Sequence, residues 1–379
     1  MILTQAPGKL ILAGEISVLE QNNSCIVMAL DAFLSILLEP CNRITVHAPD
    51  IGINQTFIQY DNKHCPIDNY DERLRFVRAS IHTALRYLHE QNTALSFFRL
   101  TIKSEISTIK LEDGTLVKPG LGSSAALVVA TITAILRFHG YDTDNVAVKK
   151  LIFKLACLAH YNGQGTLGSG ADIAAATFED TLHYRRFNKQ WFLQSITQSQ
   201  TISSIITQEW PDLYIEPLLL PHSMNVCIGF VGKSSSTSHI IQKLAYYKNR
   251  ESDTYIQICS NINNIVLTLI MAIKSNDEQR IISLIKQNRL LLKQLSETSG
   301  CSLETDTLAK LVKQAEAYNA SAKFSGAGGG DCGIAICFDD HTAQYIRKAW
   351  QLHGIYTIPY KPLRSNSRSK NTITSLFQS

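Results

Sequence analysis

The chain has 379 residues, of which 45% are hydrophobic and 18% are charged, and its formal net charge is +4. This length is enough for two domains with sizeable cores, and the composition is that of a globular protein. So small a charge fits an anionic small-molecule substrate. A nucleic-acid-binding protein instead concentrates Lys and Arg on one stripe, and outside the short segment 364–370 this sequence has none, so we expect no nucleic-acid partner.

The nine cysteines are scattered along the chain, form no C-x-x-C pair and include members with apolar neighbours. Such thiols are typical of a reducing compartment. The longest apolar stretches, 121–136 and 265–273, are shorter than a membrane span or contain Ser and Thr. The N-terminal residues do not have the pattern of a signal peptide, so we expect a cytoplasmic protein with no membrane partner.

Hydrophobic periodicity predicts strands mainly in the first part of the chain and helices mainly in the later part. In chain order, strands are predicted at 9–19, 32–38, 43–47 and 56–60, a helix at 70–91, a strand at 96–102, and helices at 125–138 and 146–161. Strands follow at 181–187, 191–192 and 225–231, then helical periodicity from 237 to 318, strands at 324 and 333–338, and a helix at 341–352. This order predicts an α+β fold. We expect domains at 1–215 and 216–379, with a disordered tail after about residue 364.

The first distinctive segment, residues 6–15, places Lys9 and Glu15 around a short apolar strand. The most informative segment is the loop at 117–126, Val-Lys-Pro-Gly-Leu-Gly-Ser-Ser-Ala-Ala. Its two glycines let backbone amides approach an anion, and the chain then continues as a helix whose N-terminus attracts negative charge. Ser123 and Ser124 are able to cap this helix, to bind a phosphate or to ligate the magnesium ion that a phosphate brings. An ordinary Ser-capped helix after a turn is the alternative, because capping signals are common.

Two nucleotide-binding motifs are disfavoured by their context. Residues 120–125 match G-x-G-x-x-G/A, but the residues before them contain an Asp-Gly turn signal and end in Lys-Pro rather than in a hydrophobic strand. The Gly-Lys-Ser at 232–234 resembles the end of a P-loop, but position 227 is Cys where that motif needs Gly. We interpret Lys233 and the serines after it as donors to a second anionic group, with a solvated Ser-rich loop as the alternative.

A glycine-rich segment near the C-terminus has five glycines within the eight positions 326–333. Such a density is costly for folding and indicates that the backbone approaches a ligand or another loop closely, since a plain turn needs only one or two glycines. Within this segment Cys332 follows Asp331, but no histidine arrangement typical of a cysteine nucleophile surrounds it. Packing is therefore the favoured role for its thiol. Asp331 is expected to contact magnesium or to brace the loop.

Residues 6–15, 120–126 and 325–333 resemble, in order and spacing, the three signature motifs of the GHMP kinase superfamily of small-molecule kinases. The resemblance extends over nearly the whole chain. It implies a two-domain GHMP kinase fold, with a ribosomal-protein-S5-like N-terminal domain, a ferredoxin-like C-terminal domain and the site between them.

Finer features resemble the phosphomevalonate kinases of the bacterial type, namely the segments 103–124, 168–175, 232–238 and 330–335. Mevalonate kinases, by their family pattern, carry an acidic magnesium ligand on the helix before the catalytic Asp, whereas residues 156–162 contain no carboxylate. The resemblance thus implies ATP-dependent phosphorylation of 5-phosphomevalonate in the mevalonate pathway of isoprenoid biosynthesis. A mevalonate kinase or another GHMP alcohol kinase is the alternative. A non-catalytic binding protein is a second alternative, but such a protein should lose a charged residue, and Lys9, Ser124 and Asp172 are all present.

The resemblance also implies roles for individual residues. Asp172 is the candidate general base, and Lys9 pairs with it and stabilises charge on the transferring phosphate; an N-cap role for Asp172 is the alternative. His160 and His239 are more typical of structural histidines. The cofactors are ATP and Mg²⁺, and the protein is expected to be a monomer or homodimer. The residues expected to bind the cofactors are Pro119, Gly120, Leu121, Gly122, Ser123, Ser124 and Ala125, with Ser124 as the metal ligand. Those expected to bind substrate are Lys118, Ser169, Gly170, Lys233, Ser236, Gly326, Ala327, Gly328 and Gly329.

Overall fold

The structure is a computed structural model that describes residues 1–61, 66, 67, 71–110, 114–232 and 237–364, with only the backbone at 237–239. The predicted tail after about residue 364, the candidates Lys233 and Ser236 and the side chain of His239 lie outside the described residues.

The first part of the chain builds a large sheet and the helices that cover it. The elements in order are β1 (Ile2–Ala13), β2 (Ser24–Pro40), β3 (Ile44–Ala48), β4 (Ile53–Ile58), α1 (Arg75–Glu90), β5 (Phe98–Ser104), β6 (Ile109–Lys110), β7 (Leu116–Val117), α2 (Ser123–Phe138), α3 (Val146–Gln164), α4 (Ala171–Phe178), β8 (Thr181–Arg185), α5 (Lys189–Gln198), α6 (Ile202–Ile206) and β9 (Tyr214–Pro217).

The large sheet has seven strands, in the order β4-β3-β5-β2-β8-β9, with β1 also paired to β2. All pairings in this sheet are antiparallel except that of β3 with β5. Helices α2 and α4 pack against β1 and β2, and α1 and α3 pack on one another. The apolar residues of α2, including Val128 and Ile132, are completely buried there. Helix α2, which follows the glycine loop, is therefore a core element of the fold.

The second part of the chain forms a smaller sheet with the helices that the periodicity predicts. Its elements are β10 (Asn225–Phe230), α7 (Thr237–Arg250), α8 (Ser252–Lys274), α9 (Glu278–Ser299), α10 (Asp306–Glu316), β11 (Ser321–Phe324), β12 (Cys332–Cys337), α11 (Asp340–Leu352) and β13 (Tyr356–Ile358). The four strands lie in the order β11-β12-β10-β13 and are all antiparallel. Mostly antiparallel sheets with covering helices make an α+β fold, as predicted. The expected domain boundary at 215 falls inside β9, and the second sheet begins at Asn225.

Helix α8 is long and apolar enough to cross a membrane by length and composition. It packs against α9 and β2, and Ile262, Val266 and Leu269 are completely buried inside the molecule. The core helix of a globular protein passes the same test of length and composition.

The end of the described chain returns to the first sheet. Leu30 on β2 forms an isolated antiparallel bridge with Pro362. The Asp31 backbone N–H donates to the Lys361 carbonyl at 2.9 Å, and the Leu363 N–H donates to the Ala29 carbonyl at 2.8 Å. Residues 361–363 thus continue the pairing of a strand that lies near the start of the chain.

Two predicted strands are corrected by the structure. The strand expected at 191–192 is part of α5, because the side chain of Asn188 caps a helix by accepting from the Trp191 N–H at 2.9 Å. The strand expected at 9–19 runs instead from 2 to 13, and a short 3-10 helix occupies 17–19. Gly14 at φ 89° and Ile16 at φ 59° take the backbone out of the extended region at that point.

Candidate functional site

The glycine loop ends at the N-terminus of α2. Gly122, with φ 82°, occupies the N-cap position and makes no side-chain capping bond, and Ser123 is the first helical residue. Ser123 therefore does not cap the helix, which was one of the roles open to it from the sequence, because a left-handed glycine holds that position. The amides of Ser123, Ser124 and Ala125 precede the first intrahelical bond, which Ala126 donates to the Gly122 carbonyl at 3.1 Å. Such amides, with the positive end of the helix dipole, form an anion-binding site.

Lys9 lies along this loop. Its backbone N–H donates to the Leu121 carbonyl at 2.8 Å. A Cβ atom on Gly122 would be only 2.9 Å from the Lys9 Cγ atom, so the glycine is required for this close approach. The structure therefore brings the first and second sequence motifs together, with a lysine beside the helix N-terminus.

The C-terminal glycine-rich segment closes against the other side of the loop. A Cβ atom on Gly120 would be 2.7 Å from the Asp331 Oδ2 atom, so no larger residue fits between them. The Cys332 thiol donates to the Pro119 carbonyl at 3.0 Å. Burial raises the pKa of this thiol, with the charge of Asp331 adding to the increase. Cys332 thus serves packing, and the third motif contacts the second across the two domains.

Two residues just before this segment make further contacts, one with β1 and one with Glu15, which follows β1. The Ser325 hydroxyl oxygen accepts from the Ile11 N–H and its hydrogen is donated to the Ile11 carbonyl, both at 2.9 Å. Lys323 forms an ion pair with Glu15, and both side chains have no solvent exposure. Asn288 on α9 donates to the other Glu15 oxygen at 3.5 Å.

The attraction within the ion pair opposes only part of the cost of burying its two charges. Burial raises the pKa of Glu15 and lowers the pKa of Lys323, and each shift is opposed by the charge of the partner. These long-range contacts were missed by sequence reasoning, which used Glu15 only as part of a motif. The available signal was the position of Lys323, three residues before the first glycine of the C-terminal segment.

Asp172 is the second residue of α4, and its carboxylate Oδ1 accepts from the Ile173 N–H at 3.0 Å. Gly170, not Asp172, is the N-cap of this helix. Among the described residues, the ion pairs within 4.0 Å do not include one between Asp172 and Lys9. The charges of Lys9 and Asp172 nevertheless both affect the pKa of the Cys25 thiol. Burial raises the pKa of Cys25, and the charge of Glu15 raises it further, that of Lys9 lowers it and that of Asp172 raises it.

Ser124 has a partner that the sequence did not reveal. Its hydroxyl lies 3.2 Å from Nε2 of His160, a buried residue on α3. Burial lowers the pKa of this histidine, and the Asp172 charge partly opposes that shift. The His160 ring stacks on Phe76 with centroids 4.8 Å apart and planes at 26°. The spacing of 36 residues between the serine and the histidine carried no local signal.

The other described residues that are predicted to bind substrate lie on loops and turns. Ser169 precedes α4, and its carbonyl accepts from the Tyr184 hydroxyl at 2.7 Å, which fixes the turn that contains Gly170. Lys118 is exposed on the approach to the loop. Gly329 donates its N–H to the Leu303 carbonyl at 2.7 Å, so the segment of Gly326, Ala327, Gly328 and Gly329 is anchored to the second domain near its middle.

A cleft of about 1260 Å³ lies elsewhere, between the far ends of α2 and α4 and the segment 361–364. Its lining includes Arg137, Glu179 and Arg347 but none of the predicted site residues. The chemistry of the loops, rather than the size of a cavity, therefore locates the candidate site.

Two family models and several known proteins are similar to this chain. The family model for the GHMP kinases N terminal domain matches residues 77–180, and the model for the GHMP kinases C terminal region matches residues 269–355. The phosphomevalonate kinase of Streptomyces sp. (strain CL190) is 28% identical over 376 residues, which cover 95% of this chain and 97% of that protein. The phosphomevalonate kinase of Saccharolobus solfataricus is 32% identical over 246 residues, which cover 64% of this chain and 67% of that protein.

A solved structure with a similar fold is that of Streptococcus pneumoniae phosphomevalonate kinase in complex with phosphomevalonate and AMPPNP. The TM-score is 0.81 and the sequence identity is 23%, and the match covers 96% of this chain and 100% of that chain.

Proposed function

Because this chain belongs to the GHMP kinases, we propose that it transfers the γ-phosphoryl group of ATP to 5-phosphomevalonate. The superfamily, the fold and the phosphotransferase class predicted from the three motifs are confirmed by the family models and by the relatives. The products are ADP and 5-diphosphomevalonate, and the step belongs to the mevalonate pathway. The chain covers nearly the full length of the Streptomyces phosphomevalonate kinase.

The observation that carries the proposal is the phosphate cradle between the two domains. Gly120 and Gly122 bring backbone amides and the α2 N-terminus to one place, Lys9 lies along one side and the Asp331 segment closes the other. Phosphoryl transfer needs charge neutralisation and alignment more than covalent chemistry, and a rigid cradle of amides with one lysine supplies both.

In the reaction, an oxygen of the acceptor phosphate attacks the γ-phosphorus and the bond from that phosphorus to the β–γ bridging oxygen breaks. Lys9 stabilises the charge that develops on the transferring group. The acceptor oxygen is already anionic at neutral pH, so Asp172 positions the acceptor more than it removes a proton. Lys118, Ser169, Gly170, Lys233 and Ser236, together with Gly326, Ala327, Gly328 and Gly329, surround the acceptor and the transferred phosphate in this proposal.

The cradle fits magnesium as it is bound in phosphoryl-transfer enzymes. In such sites Mg²⁺ keeps several waters and is bound by one or two protein oxygens and by the phosphates of the substrate. Ser124 offers a hydroxyl at the helix N-terminus, and Asp331 places a carboxylate beside Gly120. Ser124 would hold the ion. When bound, magnesium neutralises the β- and γ-phosphate oxygens.

The acceptor is assigned as a phosphate ester because both relatives compared above are phosphomevalonate kinases. The chain itself supports this choice, since α3 presents His160, and not a carboxylate, to Ser124. We further propose that the protein is cytoplasmic and acts as a monomer or homodimer.

The test is ADP release by the purified protein with Mg-ATP, offered 5-phosphomevalonate in one reaction and mevalonate in another. A Lys9→Met protein, checked for folding by circular dichroism, serves as the control for contaminating kinases. Turnover with 5-phosphomevalonate alone is expected. Turnover with mevalonate alone would keep the phosphate cradle and overturn the acceptor, and no turnover with either would overturn the proposal.

A further inference from the structure

The hydrogen bond between Ser124 and His160 is supported by burial and by a ring stack. His160 is only 7% exposed, and its Nε2 atom lies 3.2 Å from the Ser124 hydroxyl. On its other side the ring stacks on Phe76 of α1 at 4.8 Å. A ring held by a stack on one face and a hydrogen bond at one nitrogen has little freedom to turn.

The chain also makes room for the stack. Gly163 lies one turn after His160 on α3, and a Cβ atom there would be 2.7 Å from the Phe76 Cδ1 atom. Residues three apart share one face of a helix, so the glycine leaves space for the ring beside the histidine. Phe76 thus packs closely against α3, and His160 lies between Phe76 and the Ser124 hydroxyl of α2.

The chemistry of a hydroxyl ligand gives this contact a role. A serine hydroxyl has one hydrogen and two lone pairs. When a lone pair is directed to a metal ion, the hydrogen must point away, to an acceptor. Residues 156–162 of α3 contain no carboxylate, and His160 is the group on that helix that reaches Ser124.

We propose that His160 is a positioning residue that accepts the Ser124 hydroxyl hydrogen and thereby turns the lone pairs of Ser124 toward magnesium. This inference rests on the proposed function, since Ser124 is the metal ligand only in a magnesium-dependent ATP site. His160 itself touches neither the nucleotide nor the acceptor.

The experiment measures ATP binding by calorimetry with excess magnesium and with EDTA, and compares the ratio of the two dissociation constants among variants. His160→Phe keeps an aromatic ring for the stack and removes the acceptor nitrogen, and His160→Gln keeps a polar atom near the position of Nε2. Ser124→Ala is the reference for loss of the ligand. The matched control is His139→Phe, which changes a histidine at the far end of α2, about 22 Å from Ser124 along the helix.

The expected result is that His160→Phe reduces the gain in ATP affinity from magnesium by about tenfold, as Ser124→Ala does, and leaves the affinity in EDTA unchanged. His160→Gln retains most of the gain, the control retains all of it, and the double variant Ser124→Ala with His160→Phe is no worse than Ser124→Ala alone.

The inference is overturned if His160→Phe retains the full magnesium gain while Ser124→Ala loses it, or if the two losses multiply in the double variant. A magnesium gain retained by Ser124→Ala overturns it as well, because Ser124 is then no ligand. If His160→Phe does not fold, His160→Gln is compared with a second polar variant, His160→Asn. His160→Gln should retain the magnesium gain and His160→Asn, with its shorter side chain, should lose it; loss of the gain by His160→Gln overturns the inference. A wild-type protein that binds no ATP would instead overturn the proposed function itself.

Discussion

The buried ion pair between Glu15 and Lys323 predicts a large, non-additive effect on stability. Lys323→Met leaves the Glu15 carboxylate completely buried, and among the described residues the Asn288 amide at 3.5 Å is its remaining side-chain donor. Removing one partner of a buried pair costs roughly 3–5 kcal/mol, whereas replacing both by apolar residues of similar size is often neutral or stabilising. The Glu15→Met, Lys323→Met double variant should therefore be more stable than either single variant.

The measurement is the melting temperature by circular dichroism at one pH. At about 1.3 °C per kcal/mol, from an unfolding entropy of about 2.1 cal/mol/K per residue over 379 residues, each single variant should melt roughly 4–6 °C below the wild type. The control removes one partner of an exposed pair: Lys274 lies 3.2 Å from Glu216, with 52% and 38% of their side chains exposed. Lys274→Met should cost at most about 1 kcal/mol, or about 1 °C.

Two results would refute this reasoning. If Lys323→Met melts within about 2 °C of the wild type, the loss of the partner has not left an uncompensated buried charge. If the double variant loses as much stability as the two single variants together, Glu15 and Lys323 act independently, and the contact is not an energetic pair.

Three further predictions concern the proposed activity and the pH range of stability. Lys9→Met should lower kcat by about 10²–10³-fold and Asp172→Asn by less, because the acceptor oxygen is already anionic; steady-state kinetics would contradict this if Asp172→Asn were the more damaging change. Gly120→Ala should raise the KM for ATP, since its Cβ would meet Asp331 Oδ2 at 2.7 Å and its φ is +66°, and an unchanged KM would show that the loop relaxes freely. Burial lowers the pKa of His183 below 6.5, and the charge of Glu216 partly opposes this shift. The unfolded chain therefore binds the proton more readily than the folded chain does. The contribution of His183 to stability is lost as pH falls through 6.5 toward its folded pKa. Melting curves between pH 8 and pH 5 should show a smaller fall for His183→Gln than for the wild type, and parallel curves would contradict the assignment.

Local sequence patterns predicted much of the fold because they report on burial of one face. Helix α2 was expected at 125–138 and runs from Ser123 to Phe138, and β10 was expected at 225–231 and runs from Asn225 to Phe230. The first eight residues of β2 were missed, since Cys25 to Leu30 are all completely buried and the period-two alternation of a half-exposed strand is absent.

The candidate site was predictable where one motif carries its own chemistry, as at Gly120 and Gly122. The contacts that join the motifs were not. Glu15 and Lys323 are 308 residues apart, and Ser325 is 314 residues from Ile11. No periodicity or spacing connects such positions, because only the packing of the two domains brings them together.

The pairing of β2 with residues 361–363 joins the start of the chain to a segment that is synthesised last among the described residues. A ribosome releases Asp31 long before Lys361, which is 330 residues later. At 5–20 residues per second, this interval is about 16–66 s. Through that time the Asp31 N–H and the Ala29 carbonyl lack these partners, in a short gap of β2 between its pairings with β8 and β5. Chains that stop before residue 360 leave these two backbone groups without those partners, although they contain every residue of the phosphate cradle.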